Sequence, residues 1–224
     1  SGIITSFIGV FLIPLYTKVF EPSDYGIIAL LGSLQSIVTI LIIFGMDNSF
    51  GVWYYDNPTE AGKKIAISNW FFFSLTFGFF VALLLGLSSY YIAMLLLGNS
   101  HLYPLVILFA INIFLASTQK VLNIWFRVRR KPVQAVSFNL VISLLAIALN
   151  ILFVLKLGIG IPGIYYSVCI TSLIALIITF YILRKYISIK YINFKELRKM
   201  LNFSLPLVST SLIFWLMGSA TPYF

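Results

Sequence analysis

The chain has 224 residues, of which 61% are hydrophobic and only 9% are charged. Average soluble domains are roughly 45–50% apolar and about 25% charged, so this composition excludes a soluble domain and predicts an all-α integral membrane protein. The formal charge of +9 comes from 15 basic and 6 acidic residues. The single cysteine and single histidine exclude a disulfide framework and a zinc-like cluster, and we expect no metal and no cofactor.

Apolar runs in chain order predict six membrane spans and the start of a seventh. The six spans lie at residues 2–20, 25–50, 65–87, 102–129, 133–155 and 160–183. They form one N-terminal transmembrane bundle over residues 1–184, followed by a basic cytoplasmic connection at 185–200 and a truncated seventh helix at 201–224. A shorter apolar piece at 90–97 is expected at the membrane interface. Because both ends lie inside hydrophobic runs, we expect a fragment of a longer protein.

Lysine and arginine are distributed unequally over the connections between these spans. The connections after even-numbered spans hold 12 of them, those after odd-numbered spans hold 2, and Lys120 lies inside the fourth span. This positive-inside pattern predicts a cytoplasmic amino terminus and cytoplasmic even-numbered connections. Membrane insertion alone accounts for such charges, so we expect no nucleic-acid partner.

Polar side chains recur on one face of several predicted spans. On the fourth span, the residues within a sector of roughly 100° are Asn112, Ala116, Gln119, Lys120, Asn123 and Arg127. On the fifth span, the stripe is Asn139, Ser143, Ala146 and Asn150. Such side chains at membrane depth usually face a protein interior or a water-filled cavity, although stripes of small residues also form packing seams. The candidate substrate-pathway residues are Lys120, Asp47, Asn112, Gln119, Asn123, Arg127, Asn139 and Asn150.

Lys120 permits two interpretations. It lies about a third of the way into its span from the cytoplasmic end, where its side chain can snorkel towards the interface or pair with Asp47 of the second span. Alternatively, Lys120 lines a hydrophilic cavity that attracts anions. The two interpretations are compatible with each other.

Enzyme classes fit this sequence poorly, and we expect a protein that is not an enzyme. A membrane glycosyltransferase would use Glu21 and Asp24, but their connection is too short for a sugar-binding segment. A membrane acyltransferase needs a histidine base, and His101 has no acidic neighbour in sequence. The phosphate-binding pattern G-x-x-x-x-G-K is also absent, which argues against an ATPase.

Four segments, in this order and spacing, resemble Wzx-type polysaccharide flippases of the multidrug/oligosaccharidyl-lipid/polysaccharide (MOP) exporter superfamily. They are residues 17–26 (TKVFEPSDYG), 127–131 (RVRRK), 158–163 (GIGIPG) and 199–207 (KMLNFSLPL). The likeness extends over essentially the whole chain.

The resemblance implies two six-helix bundles around a cavity that opens alternately to either side of the bacterial cytoplasmic membrane. This chain would supply the N-terminal bundle and the start of the second. The implied substrate is an undecaprenyl-pyrophosphate-linked oligosaccharide, with Lys120 meeting the pyrophosphate. Further implied partners are membrane lipid and a polysaccharide polymerase or other assembly proteins.

Other functions stay open beside this one. A multidrug antiporter of the same superfamily would use an acidic cation site, but Asp47 is the one carboxylate inside a predicted span. A lipid II flippase is closer in substrate. A scaffold without transport activity is the remaining alternative.

Overall fold

The computed structural model describes residues 19–220, with side chains through Met217. The predicted span at 2–20 therefore lies almost wholly outside the described residues. Within them the chain forms nine α-helices: α1 (Pro22–Ile43), α2 (Met46–Asp56), α3 (Glu60–Leu87), α4 (Ser89–Leu96), α5 (Tyr103–Ala116), α6 (Gln119–Val128), α7 (Pro132–Asn150), α8 (Ile161–Leu183) and α9 (Phe194–Ala220). Short 3-10 turns lie at Ser100–Leu102 and Ile189–Tyr191, and a π-helical segment, Ile151–Lys156, continues α7.

Six helical stretches of this part of the chain are long and apolar enough to cross a membrane. They are Pro22–Asp56, Glu60–Leu87, Ser100–Val128, Pro132–Lys156, Ile161–Leu183 and Phe194–Met217. The described part contains no strand, and the predicted all-α membrane fold is confirmed. The chain is a multi-pass membrane protein.

The second predicted span, residues 25–50, is not one helix. It divides between α1 and α2 at Phe44 and Gly45, which both have left-handed backbones with φ of 52° and 65°. The N–H of Phe44 donates to the Ile40 carbonyl at 3.0 Å and closes α1. Glycine adopts this conformation without a steric penalty, so the chain turns here and α2 packs on α3 and α9.

The fourth predicted span, residues 102–129, is also divided, because α5 ends at Ala116 and α6 begins at Gln119. The break lies against α3. A Cβ added at Gly78 of α3 would lie 2.8 Å from the Ser117 Cβ. The interruption therefore coincides with a tight interhelical contact rather than with a proline or glycine in the span itself.

Helix α9, which corresponds to the predicted seventh span, begins at Phe194. This is seven positions before the predicted start at residue 201. The Asn193 side chain accepts hydrogen bonds from the backbone N–H groups of Lys195 and Glu196, at 3.0 and 3.2 Å, and so caps the helix. The Lys199 ammonium contacts the Glu196 carboxylate at 2.7 Å within the first turns. The last residues of the predicted basic connection at 185–200 are therefore helical.

The helix interruptions divide the interior into two apolar clusters. One contains Phe50 of α2, Trp70 of α3 and Trp125 of α6. The other contains Val38 of α1 and Phe109 of α5. The paired breaks thus separate a layer built by α2 and α6 from a layer built by α1 and α5.

Three connections meet at one end of the bundle, which we call the basic end. The Tyr55 hydroxyl donates to the Val128 carbonyl at 3.2 Å, joining the ends of α2 and α6. The Asn69 amide donates to the Asn193 carbonyl at 3.2 Å, joining α3 to the start of α9. The positive charges of the predicted even-numbered connections are consequently collected at this end.

Candidate functional site

A polar cavity lies between α1, α5, α6 and α7. It consists of two adjoining parts of about 300 and 650 Å³, which share the lining residues Lys120 and Asn123. Gln35 and Thr39 of α1 line the first part. The second part opens towards the basic end, and its further polar lining residues are Arg127, Arg130 and Asn139.

Lys120 sits where the two parts of the polar cavity meet. Its ammonium lies 4.0 Å from the Asp47 Oδ2, and the Lys120 side chain is 46% exposed. An exposed pair at this separation is weak, so it leaves the ammonium free to interact with a ligand. Both interpretations of Lys120 from the sequence therefore describe the same geometry: it contacts Asp47 and it lines a cavity.

Asn123 and Asn139 form the wall between α6 and α7. The Asn139 amide donates to the Asn123 Oδ1 at 2.8 Å, and the Asn123 amide donates back to the Asn139 Oδ1 at 3.2 Å. The Asn123 amide also donates to the Gln119 carbonyl at 3.1 Å. An asparagine amide has two N–H donors. These hydrogen bonds use both donors of Asn123 and one donor of Asn139.

Arg130 reaches the polar cavity because of how α6 ends. The N–H of Arg130 donates to the Arg127 carbonyl at 3.0 Å, and the N–H of Lys131 donates to the Phe126 carbonyl at 2.9 Å. These two bonds define a Schellman motif, and Arg130 occupies its left-handed position with φ of 55°. Pro132 then begins α7 at the first helical position. The tight turn therefore brings Arg130 and Arg127 to one cavity wall.

Of the predicted pathway residues, the structure brings Lys120, Gln119, Asn123, Arg127 and Asn139 to the polar cavity. Asp47 joins them through its contact with Lys120.

The structure does not bring Asn112 or Asn150 to the polar cavity. Asn112 is buried, and its amide donates to the Ser172 hydroxyl of α8 at 3.0 Å, so it joins two packed helices. Asn150 is buried at the end of α7, and its Oδ1 has no hydrogen-bond partner. The packing interpretation of the polar stripes holds for Asn112, whereas the cavity interpretation holds for the middle of α6.

Arg130 was not among the predicted pathway residues. In the sequence, Arg130 is one of the basic residues of a predicted cytoplasmic connection. The Schellman turn is what directs it towards the cavity. One sequence feature could have indicated this turn: Arg130 lies between the end of α6 and Pro132, where a residue with a left-handed backbone commonly ends a helix.

The charges around the polar cavity do not cancel. Lys120, Arg127 and Arg130 line it, and among the described residues the carboxylate paired with one of these cations is Asp47, which contacts Lys120. The balance of three positive groups against one negative group favours an anionic ligand. The amides of Asn123 and Asn139 add neutral hydrogen-bonding groups beside the cations.

The arrangement of helices matches a known transporter fold. A solved structure described as the outward-facing conformation of a multidrug resistance MATE family transporter of the MOP superfamily superimposes with a TM-score of 0.70, covering 93% of this chain at 17% sequence identity. The chain covers 51% of that transporter, or about half its length. The chain is thus a membrane protein with the MOP transporter fold.

The family is shown by the sequence itself. The family model described as "Polysaccharide biosynthesis protein" matches residues 16–222 of the 224-residue chain. The chain belongs to this family, and the resemblance to polysaccharide-synthesis proteins that the sequence motifs indicated is confirmed. No curated protein matches the chain.

Proposed function

We propose that the complete protein is a transporter that flips an undecaprenyl-pyrophosphate-linked oligosaccharide across the bacterial cytoplasmic membrane for polysaccharide biosynthesis. The family supports the biosynthetic process, and the fold supports transport. The observation that carries the substrate class is the polar cavity with its three cations, Lys120, Arg127 and Arg130.

The chemistry of the cavity suits a pyrophosphate attached to a sugar. Arginine presents a planar fork of N–H donors that matches phosphate oxygens, and lysine presents a compact ammonium. Arg127 and Arg130 stand on one wall, and Lys120 stands further in. An anionic headgroup entering from the basic end meets the two guanidinium groups first and the ammonium second.

The glycan has its own candidate contacts. Gln35 and Thr39 of α1 line the inner part of the cavity beyond Lys120, and both side chains are exposed. Amides and hydroxyls exchange hydrogen bonds with sugar hydroxyls without selecting one sugar. In this proposal the prenyl tail stays in the lipid.

Alternating access requires a second bundle, which the complete transporter would supply. The basic end faces the cytoplasm in this proposal, since cytoplasmic connections carry the excess of lysine and arginine. The amino terminus is then cytoplasmic as well. A polysaccharide polymerase or other assembly proteins would receive the flipped substrate on the opposite side.

Rescue of surface polysaccharide in a flippase-deficient bacterial host tests the proposal. The complete protein should restore the polysaccharide. Lys120→Ala should reach the membrane and fail, and Lys120→Arg should retain part of the activity because it keeps the charge. Lys156→Ala is the matched control, since Lys156 is an exposed lysine that does not line the polar cavity. It should behave like the native protein.

A different result would assign a different substrate. If the complete protein rescues no host with a matched glycan but confers cation-dependent drug resistance, the protein is a multidrug antiporter. If Lys120→Ala rescues as well as Lys156→Ala, the cavity cation has no part in transport.

A further inference from the structure

A second groove lies on the other side of α7 from the polar cavity. It has a volume of about 660 Å³ and is bounded by α6, α7 and the end of α8. We call it the α7–α8 groove. It shares no lining residue with the polar cavity, so the proposed transport function does not account for it.

Three positive side chains stand at the basic end of the α7–α8 groove. They are Lys131 before α7 and Arg184 and Lys185 after α8, and all three are exposed. The ion pairs among the described residues join Lys63 with Glu60, Lys120 with Asp47 and Lys199 with Glu196. The cations of the groove are therefore not neutralised by any described carboxylate.

Aromatic rings hold the positive charges in place. The Arg184 guanidinium lies 4.3 Å from the centre of the Tyr181 ring. The Arg129 guanidinium lies over the rings of both Trp125 and Tyr186, at 5.2 and 4.6 Å from their centres. Both of these rings line the groove, so Arg129 adds a fourth positive charge behind its wall.

The groove changes from charged to apolar along its length. Along α7 it passes from Lys131 through Ser137 to Val141, which is about 15 Å at 1.5 Å per residue. Along α8 it extends to Ile178, so both Val141 and Ile178 line the groove away from the charged residues. A soluble anion uses only the charged end of such a groove, whereas a phospholipid uses both ends.

We propose that the α7–α8 groove binds an anionic phospholipid of the membrane leaflet at the basic end. The phosphate group lies between Lys131, Arg184 and Lys185, and an acyl chain lies along Val141 and Ile178. Basic pockets between membrane helices are suited to such headgroups. The Gln134 and Ser137 side chains donate to the glycerol or phosphate oxygens.

Native mass spectrometry of the complete protein tests this site. The purified protein is mixed with equal amounts of phosphatidylglycerol and phosphatidylcholine, and the retained lipid is measured. The native protein should retain phosphatidylglycerol selectively. The double variant Arg184→Gln/Lys185→Gln should lose retention on the order of tenfold, given the attraction that each basic residue provides. The matched control is the double variant Lys190→Gln/Lys195→Gln. It removes two positive charges at the same end of the bundle but outside the groove. This control should change the retention of phosphatidylglycerol less than about twofold.

A second variant guards against loss of folding. Ser137→Glu keeps every cation and adds a negative charge inside the groove, and it should also lose phosphatidylglycerol. Equal retention of both lipids by the native protein would overturn the proposal, and so would equal losses in the groove and control variants. Displacement of the lipid by excess inorganic phosphate would assign the groove to a soluble anion instead.

Discussion

Asn123 and Asn139 exchange two side-chain hydrogen bonds, of 2.8 and 3.2 Å, across the interface between α6 and α7. The pair sits directly beside Lys120 on the wall of the polar cavity. It joins α7 to α6, the helix that carries Lys120 and Arg127. One N–H of Asn139 has no partner in this pair and is free to donate to a ligand.

The asparagine pair should be energetically coupled. A double-mutant cycle with Asn123→Ala and Asn139→Ala should give a coupling free energy of about 1 kcal/mol, within the range measured for hydrogen bonds between membrane helices. The measurement is the free energy of unfolding of the complete protein in mixed micelles. Additive effects of the two substitutions would show that the pair does not hold α6 against α7.

Asp47→Asn should strengthen anion binding while leaving stability nearly unchanged. The Lys120 and Asp47 side chains are 46% and 23% exposed and 4.0 Å apart, so the pair contributes less than about 1 kcal/mol to stability. Removing one negative charge near the ammonium should tighten pyrophosphate binding about fivefold, as expected for one unit charge at this distance in water. Isothermal titration calorimetry with pyrophosphate measures this.

Asp56→Asn is the control for that experiment, because Asp56 ends α2 and does not line the polar cavity. It should leave pyrophosphate binding as it is. Weaker binding in Asp47→Asn would mean that the carboxylate positions Lys120 rather than competing with the ligand.

Substitutions at Arg130 should separate the backbone role of the residue from its charge. Arg130 has a φ of 55°, which is unfavourable for any residue with a Cβ. Arg130→Gly and Arg130→Ala both remove the guanidinium, and both should weaken pyrophosphate binding equally. The free energy of unfolding of Arg130→Gly should be about 1 kcal/mol higher than that of Arg130→Ala, because glycine adopts the left-handed conformation more readily than alanine. An alanine variant as stable as the glycine variant would refute the Schellman turn.

Gly45→Ala should destabilise the protein by about 2 kcal/mol, because the new side chain meets both a strained backbone and a neighbour. The added Cβ would lie 2.9 Å from the Ser204 carbonyl oxygen of α9, at a φ of 65°. Thermal unfolding of the complete protein measures the loss.

Gly32→Ala provides the comparison, since Gly32 lies inside α1 and an added Cβ there meets nothing within 4 Å. It should be neutral or stabilising by up to about 1 kcal/mol, because alanine is the better helix former. Equal destabilisation by the two substitutions would show that the contact between Gly45 and α9 is unimportant.

The sequence predicted the membrane class, the fold class and the family, because hydropathy, charge distribution and motif order are properties of segments. It did not predict the breaks at Phe44 and at Ser117. Both breaks coincide with tertiary contacts: α2 packs on α9, and Gly78 of α3 lies close to Ser117. The hydropathy of the sequence stays high through both breaks, so hydropathy alone does not reveal them.

The part of the polar cavity that helical periodicity predicted best is the part lined by α6. Gln119, Asn123 and Arg127 lie on the same short helix, and all three line the cavity. Asn112 lies beyond the break, and the angle of 100° per residue no longer relates it to the others. Arg130 enters through a turn whose handedness depends on two backbone hydrogen bonds, so helical periodicity had no information about it.

In the proposed function, cations in the polar cavity bind the pyrophosphate of a lipid-linked glycan while it crosses the membrane. The most direct test of this role is flipping of an undecaprenyl-pyrophosphate-linked oligosaccharide by the complete protein in proteoliposomes, comparing Lys120→Ala with Lys156→Ala. The native protein and Lys156→Ala should flip the lipid-linked oligosaccharide. Lys120→Ala should lose at least about tenfold of the flipping rate, as expected when one charged hydrogen-bonding partner of the ligand is removed. Undiminished flipping by Lys120→Ala would contradict this role.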